Sequence, residues 1–234
     1  MKVFGRTDRG LVRENNEDSI LAEPNLCIVA DGMGGHLAGE IASRDAITCA
    51  NEFIGAHEGH DRLFVIAEAV RYANKYIFNK AQREALCQGM GTTLTLASVA
   101  GDKLFYAHVG DSRLYLFRNA KLERITADHS FVAQLLASGQ ITPEEAAVHP
   151  SKNVITKAVG AAPDIAPDTG CVDLLAKDVF LVCSDGLTNM LTDEAIAEII
   201  GKSPGDPEEA AVRLIDAANA AGGFDNISVI CMQY

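Results

Sequence analysis

The chain contains no tryptophan, only 6% of its 234 residues are aromatic, and its 20 lysines and arginines are outnumbered by 32 acidic residues. Without basic–aromatic stripes, and with a net charge of −12, nucleic acid is not an expected partner, because duplexes and single strands are bound through Lys/Arg patches and stacking rings. An anionic membrane surface is disfavoured by the same charge. No run approaches the ~20 apolar residues that span a bilayer, and residues 1–8 lack the apolar core of a signal peptide. None of the six cysteines (27, 49, 87, 171, 183 and 231) forms a C-x-x-C pair, and Cys27, Cys183 and Cys231 lie inside apolar runs as small hydrophobes. A disulfide scaffold is not expected at this size, so a reducing, cytoplasmic setting is. No repeat, low-complexity tract or long Pro/Gly linker interrupts the sequence, and 48% apolar residues suffice for a sizeable core.

Against these absences stands one recurring pattern. Three apolar runs, 26–30, 104–109 and 179–183, each lead into an aspartate with small neighbours: Asp31 before Gly32, Asp111 between Gly110 and Ser112, Asp185 between Ser184 and Gly186. A fourth segment runs the other way, with Asp225-Asn226 opening the apolar stretch 227–231. One aspartate at a strand end is an ordinary turn residue. Four that can gather at one edge of a sheet core point to a hard-cation site, for which oxygen donors are the natural ligands. Glycine beside Asp31 also lets the backbone approach a bound ion closely enough to offer a carbonyl.

Strand-like runs occupy 2–7, 19–22, 26–30, 93–99, 103–109, 113–118, 179–183 and 227–232, with turns at Gly101-Asp102 and Asn119-Ala120. Apolar residues recur at helical spacing over 38–54 and 62–80, and two further helices are expected at 192–201, capped by Thr192, and 207–221, opened by Pro207. Helices segregated from hairpin-linked strands predict an α+β fold with a central antiparallel β-sandwich flanked by helices on both faces, not an alternating Rossmann unit. Residues 126–160 break this regularity, with short helical pieces at 131–138 and 143–148, and read as a flap-like insertion beside a site within one domain covering 1–234.

Taken together, Arg13…Asn16-Glu17-Asp18, Ala30-Asp31-Gly32-Met33-Gly34-Gly35, Gly91-Thr92-Thr93, Gly110-Asp111-Ser112-Arg113, Cys183-Ser184-Asp185-Gly186-Leu187 and Asp225-Asn226-Ile227-Ser228-Val229 resemble, in order and over nearly the whole chain, the metal-dependent protein Ser/Thr phosphatases of the 2C type (the PPM family) in their bacterial form. The resemblance implies a binuclear Mn²⁺ or Mg²⁺ centre at one end of the sandwich. Asp31 would bridge the ions, Asp185 and Asp225 would complete one ion's protein ligands, and the Gly32 carbonyl would serve the other, with Glu17 directly or through water. Asp18 would orient a metal-bound water and Arg13 would grip the substrate phosphate, its planar guanidinium suiting a tetrahedral dianion. Asp111 would hold a third, weaker ion with Asp185, although Gly-Asp-Ser also makes a good turn. The implied reaction is attack on phosphoserine or phosphothreonine by a hydroxide bridging two ions. No Cys-x5-Arg loop is present to form a covalent phosphoenzyme.

The departure from the pattern is Met33, where some members carry a histidine proposed as general acid. His36 is the nearest substitute, with helix capping as its other role and a metal-bound water as the other acid. Ser130 and Lys152, in the insertion, are candidates for contact with substrate. The resemblance further implies phosphoprotein partners, a cognate bacterial Ser/Thr kinase pathway, a cytoplasmic location and a monomer. Two other readings share the residues: a hydrolase of small phosphoesters using the same two-metal chemistry, and a non-catalytic phosphoprotein-binding relative. Intact Arg13, Asp31, Asp185 and Asp225 argue against the latter.

Overall fold

The computed structural model describes every residue except His36 and Leu37, and the backbone alone of Ala147. Side-chain parity along the strands explains its layers. In β3 (Leu26–Met33), Leu26, Ile28 and Ala30 pack under helices, whereas Cys27 and Val29 face the opposing sheet. In β10 (Val179–Cys183), Phe180 and Val182 meet them from the other side, while Leu181 and Cys183 turn outward beneath a second helical layer. Strands covered on both faces read as continuous apolar runs, and alternate residues then serve different cores.

Five strands form one sheet in the order β1 (Lys2–Asp8), β11 (Ile227–Gln233), β10, β7 (Arg113–Arg118), β8 (Lys121–Arg124). The other sheet runs β2 (Asp18–Glu23), β3, β5 (Leu94–Ala100), β6 (Lys103–Val109), β9 (Asp168–Asp173), with the short β4 (Gly91–Thr92) paired to β3. All pairings are antiparallel. Helices α1 (Ala38–Ala56) and α2 (Arg62–Arg83) cover the second sheet, with Ala42, Ala46 and Ala50 letting α1 sit close. Helices α6 (Asp193–Gly201) and α7 (Pro207–Ala220) cover the first, with N-caps at Thr192 and Asp206. The result is the expected four-layer helix–sheet–sheet–helix sandwich. Among the described residues, no helix is long and apolar enough to cross a membrane.

The short strands β4 and β8 lie outside the expected strand runs, and two further elements depart from the sequence reading. Strand β9 was not expected; its sequence, Asp168 to Asp173, is mostly exposed and carries little apolar alternation because it is a sheet edge. Asp185 does not end its strand but opens a four-residue helix, α5 (Asp185–Thr188). The insertion holds α3 (Phe131–Ala137) and α4 (Pro143–Ala147), the latter opened by a full capping box between Thr142 and Glu145.

Candidate metal centre

Strand register delivers the first two acids. Asp18 and Asp31 are directly paired residues of β2 and β3, and each continues the parity that faces the space between the sheets. Asp31 is held through its backbone: its N–H donates to Thr93 Oγ1 at 2.9 Å, and its carbonyl accepts from Thr92 Oγ1 at 2.9 Å and from the Thr93 N–H at 2.9 Å. Gly91-Thr92-Thr93 is therefore more than a strand start, since both hydroxyls pin the backbone of the proposed bridging residue. That duty was not legible in the sequence.

Gly32 lies against the start of α1. A Cβ there would sit 2.0 Å from the Gly39 carbonyl oxygen, and one on Gly39 would sit 2.7 Å from the Glu17 carboxyl group. Both positions therefore require glycine, and the fit places the Glu17 side chain beside Gly32. The Gly32 N–H also donates to the Glu17 carbonyl at 3.1 Å.

Asn226 organises the opposite wall. Its amide nitrogen donates to the carbonyls of Arg9 at 3.0 Å and Asn15 at 2.8 Å, and its Oδ1 accepts the Glu17 N–H at 2.8 Å. It thus fastens the Arg13–Glu17 loop to the Asp225 turn, a structural role. Arg13 donates to Asp225 Oδ2 at 2.7 Å. One face of Asp185 accepts Asn189 Nδ2 at 2.9 Å. Gly186 is packed so closely on the Asn226 carbonyl, 2.0 Å from its Cβ position, that α5 and the Asp225 turn are fixed to each other. Asp18 Oδ2 accepts the Ser184 hydroxyl at 2.7 Å.

These contacts leave six carboxylates, Glu17, Asp18, Asp31, Asp111, Asp185 and Asp225, crowded at one end of the sandwich. Burial, followed by the charges of Asp18, Asp185, Asp111 and Asp225, pushes Asp31 well above the usual carboxylate range. Burial pushes Asp18 up to about 7, and burial with the nearby charge of Asp185 pushes Asp111 up to about 7. Asp185 is raised by burial and by Asp225, and eased by its hydrogen bonds with Asp31 and Asn189. Burial also raises Glu17, against the pull of Arg13. Asp31 and Asp185 retain a partial opening to solvent; crowding by protein and by one another still dominates them.

Among the described residues, two carboxylate oxygens, Asp18 Oδ1 and Asp111 Oδ1, are buried with no hydrogen-bond partner. Buried polar atoms are rarely left so. Among the described residues, no three acidic, histidine or cysteine side chains enclose a single point unaided. Backbone oxygen, such as the Gly32 carbonyl, and water would have to complete a coordination shell, as hard cations commonly require. An all-oxygen donor set, an excess of negative charge and orphaned oxygens fit divalent Mn²⁺ or Mg²⁺.

Asp111 lies at the far side of the group, in a cleft of about 820 Å³ between the insertion and the sheet ends that also reaches Asp185, Ser130 and Lys152. Ser130 is 3% exposed and caps α3, accepting the Ala133 N–H at 3.3 Å. His129 grips Gly110, the residue before Asp111, from both sides: its backbone N–H donates to the Gly110 carbonyl at 2.7 Å and its Nδ1 accepts the Gly110 N–H at 3.1 Å. Arg113 holds Asp128 through both carboxylate oxygens, at 3.0 and 2.7 Å, fastening the base of the insertion to β7. His36 lies outside the described residues. Met33 sits on Gly91, its methyl carbon 3.6 Å from the Cβ position there.

A family model described as protein phosphatase 2C matches residues 11–207. Serine/threonine protein phosphatase PstP of Mycobacterium tuberculosis is 42% identical over 230 residues, which are 98% of this chain and 44% of that protein. The chain thus spans less than half the length of that relative. Protein phosphatase PhpP of Streptococcus pneumoniae is 40% identical over 243 residues, covering 98% of this chain and 96% of that one. A crystal structure of the PstP catalytic domain in complex with two manganese ions superposes with a TM-score of 0.90 at 41% identity, over 98% of this chain and 96% of that one. A match in sequence over most of the residues, and in fold over nearly all of them, carries one conclusion: the chain belongs to the protein phosphatase 2C family.

Proposed function

We propose that this domain hydrolyses phosphoserine and phosphothreonine in proteins, using two Mn²⁺ or Mg²⁺ ions held by its carboxylate cluster. The observation that carries the reading is the gathering of buried, mutually repelling aspartates with two orphaned oxygens beside one exposed arginine. Asp31 would bridge the ions, Asp185 and Asp225 would complete the side-chain ligands of one, and the Gly32 carbonyl with Glu17 would serve the other. Bound there, divalent ions supply charge neutralisation and make hydroxide accessible from water near neutral pH.

The chain's own residues do the rest. Arg13 commits one donor to Asp225 and keeps the others of its guanidinium fork for phosphate oxygens, where charge spreads as the ester bond breaks. Asp18, fixed at Oδ2 by Ser184, presents Oδ1 to orient the attacking water. Asn226 and the two threonines keep Asp225 and Asp31 from drifting, so the acids are preorganised. Asp111 with Asp185 forms a third, weaker ion site in this reading. Met33 has no proton to give to the leaving alkoxide, which leaves His36 or water as the acid; rates of Met33→His and His36→Ala across pH would separate them.

Phosphorylated proteins are then the partners, opposing a Ser/Thr kinase, with the chain acting as a monomer in the cytoplasm and residues 126–160 lying over the substrate as a flap in a single domain. The test is phosphate release from a phosphothreonine peptide with Mn²⁺ added or chelated, for the wild type and Asp225→Asn. Activity should need Mn²⁺ and fall by two or more orders of magnitude in the variant, in the range seen when electrostatic stabilisers are removed (roughly 10²–10³). Release that ignores both chelator and substitution would sink the reading.

A further inference from the structure

Leu11, Val12 and Phe224 are 66%, 60% and 62% exposed. Single exposed apolar residues on a surface are ordinary, but contiguous ones often mark an interaction site. These three sit on loops that are firmly held. The Leu11 N–H donates to the Gly223 carbonyl at 2.8 Å, and the Gly10 N–H and Asn219 Nδ2 share Asp8 Oδ1 at 2.9 and 3.2 Å. Gly223, at φ +52°, has the Leu11 side chain 3.0 Å from its Cβ position, and Gly222 has the Phe224 ring at 2.9 Å. Leu11 and Phe224 therefore rest on adjacent glycines, and with Val12, which lies between Leu11 and Arg13 in the chain, we take them as one exposed apolar patch.

The chain neighbours of this patch are Arg13 and Asp225, paired at 2.7 Å. We propose that Leu11, Val12 and Phe224 form a specificity subsite that takes an apolar side chain of the phosphoprotein substrate, one or two residues from the phosphorylated serine or threonine. This rests on the phosphatase reading above. A polypeptide advances at most ~3.3–3.6 Å per residue, so a chain whose phosphate reaches Arg13 carries its neighbouring residues over the adjoining surface. The cleft under the insertion reaches Asp111 and Asp185 and is walled by Arg113, Arg124, Asp128 and Lys152. The Arg13–Asp225 side offers the apolar patch instead. A side chain that covers it removes apolar area from water on both partners, and because the patch is already held in place little ordering is required to bind it.

The experiment compares kcat/KM for phosphothreonine peptides in which each position within two residues of the phosphothreonine is leucine or serine. Wild type and the double variant Leu11→Ser, Phe224→Ser are assayed with Mn²⁺, alongside p-nitrophenyl phosphate, which has no flanking residues. The wild type should prefer leucine at one position by on the order of tenfold, the scale at which apolar pockets discriminate. The variant should lose that preference with p-nitrophenyl phosphate turnover unchanged. A wild type with no apolar preference, or a variant that keeps it, overturns the proposal. A wild-type dimer that the double substitution dissociates would overturn it too, by assigning the patch to a second copy of the chain. Failure of the wild type to hydrolyse any of these substrates would instead remove the phosphatase reading, and this inference with it.

Discussion

Protonation at single carboxyl groups gives the site its most direct physical signature. Asp18 and Asp111 hold their protons up to about pH 7 when folded, against about 3.9 for a free aspartate. The folded chain therefore binds more protons than the unfolded chain between those values. Stability then falls as pH rises through the window, because ionisation is resisted only in the folded state. Divalent ions that replace the protons reverse the penalty. With chelator present, the thermal midpoint should be lower at pH 8 than at pH 5.5, and added Mn²⁺ should raise it most at pH 8. Equal midpoints without ions would contradict the crowding seen among these acids. At this scale the sequence exposed Asp31, Asp111, Asp185 and Asp225 because each sits at or next to one end of an apolar run, whereas Arg13 was named only through the family resemblance. It hid Thr92, Thr93 and Ser184, because hydroxyls that pin a backbone or a neighbouring carboxylate carry no periodic signal. The contacts that use them join residues far apart in the chain, such as Ser184 and Asp18.

Elements were legible in proportion to how much apolar surface they bury. Helices α1, α2, α6 and α7 and the central strands lie where their periodicity places them, whereas β9 escaped notice because an edge strand with one face exposed and the other only half-buried carries little apolar pattern. α5 escaped because four residues show no period. The insertion, recognisable only as a break in regularity, is fastened at its base by His129 on Gly110 and by the Arg113–Asp128 pair, with 23% and 12% of the latter two side chains exposed. Arg113→Ala would leave Asp128 largely buried beside Arg124 alone, 3.5 Å away and itself exposed. Removal of one partner of a buried pair costs roughly 3–5 kcal/mol, and the residual exposure here places the expected loss at the lower end, about 3 kcal/mol. Urea denaturation measures it, and limited proteolysis should cut the variant first within residues 126–160. A loss below about 1 kcal/mol would reduce the pair to an ordinary surface contact.

For the molecule as a whole, the sandwich exists to hold two sheet ends together. Asp18 and Asp31 come from one sheet, while Asp185 and Asp225 flank strands of the other, so the site is assembled only when the inter-sheet core closes. Phe180, fully buried there with Val29, Leu104 and Ile230, is a suitable probe. Phe180→Ala should cost about 3–5 kcal/mol and weaken Mn²⁺ binding although it touches none of the proposed ligands; unaltered binding in the folded variant would separate core from site. The four-layer class could be read from the sequence because strand runs and helical periods were segregated along it. Which aspartates face one another could not, since that depends on register and on α5. The central claim is that these acids converge because they hold a pair of divalent ions. Isothermal titration of Mn²⁺ into the wild-type chain and Asp31→Asn at neutral pH tests it most directly. The expected result is two tightly bound ions per wild-type chain and loss of at least one in the variant; a wild type that binds none, or a variant that binds as the wild type does, would contradict the account.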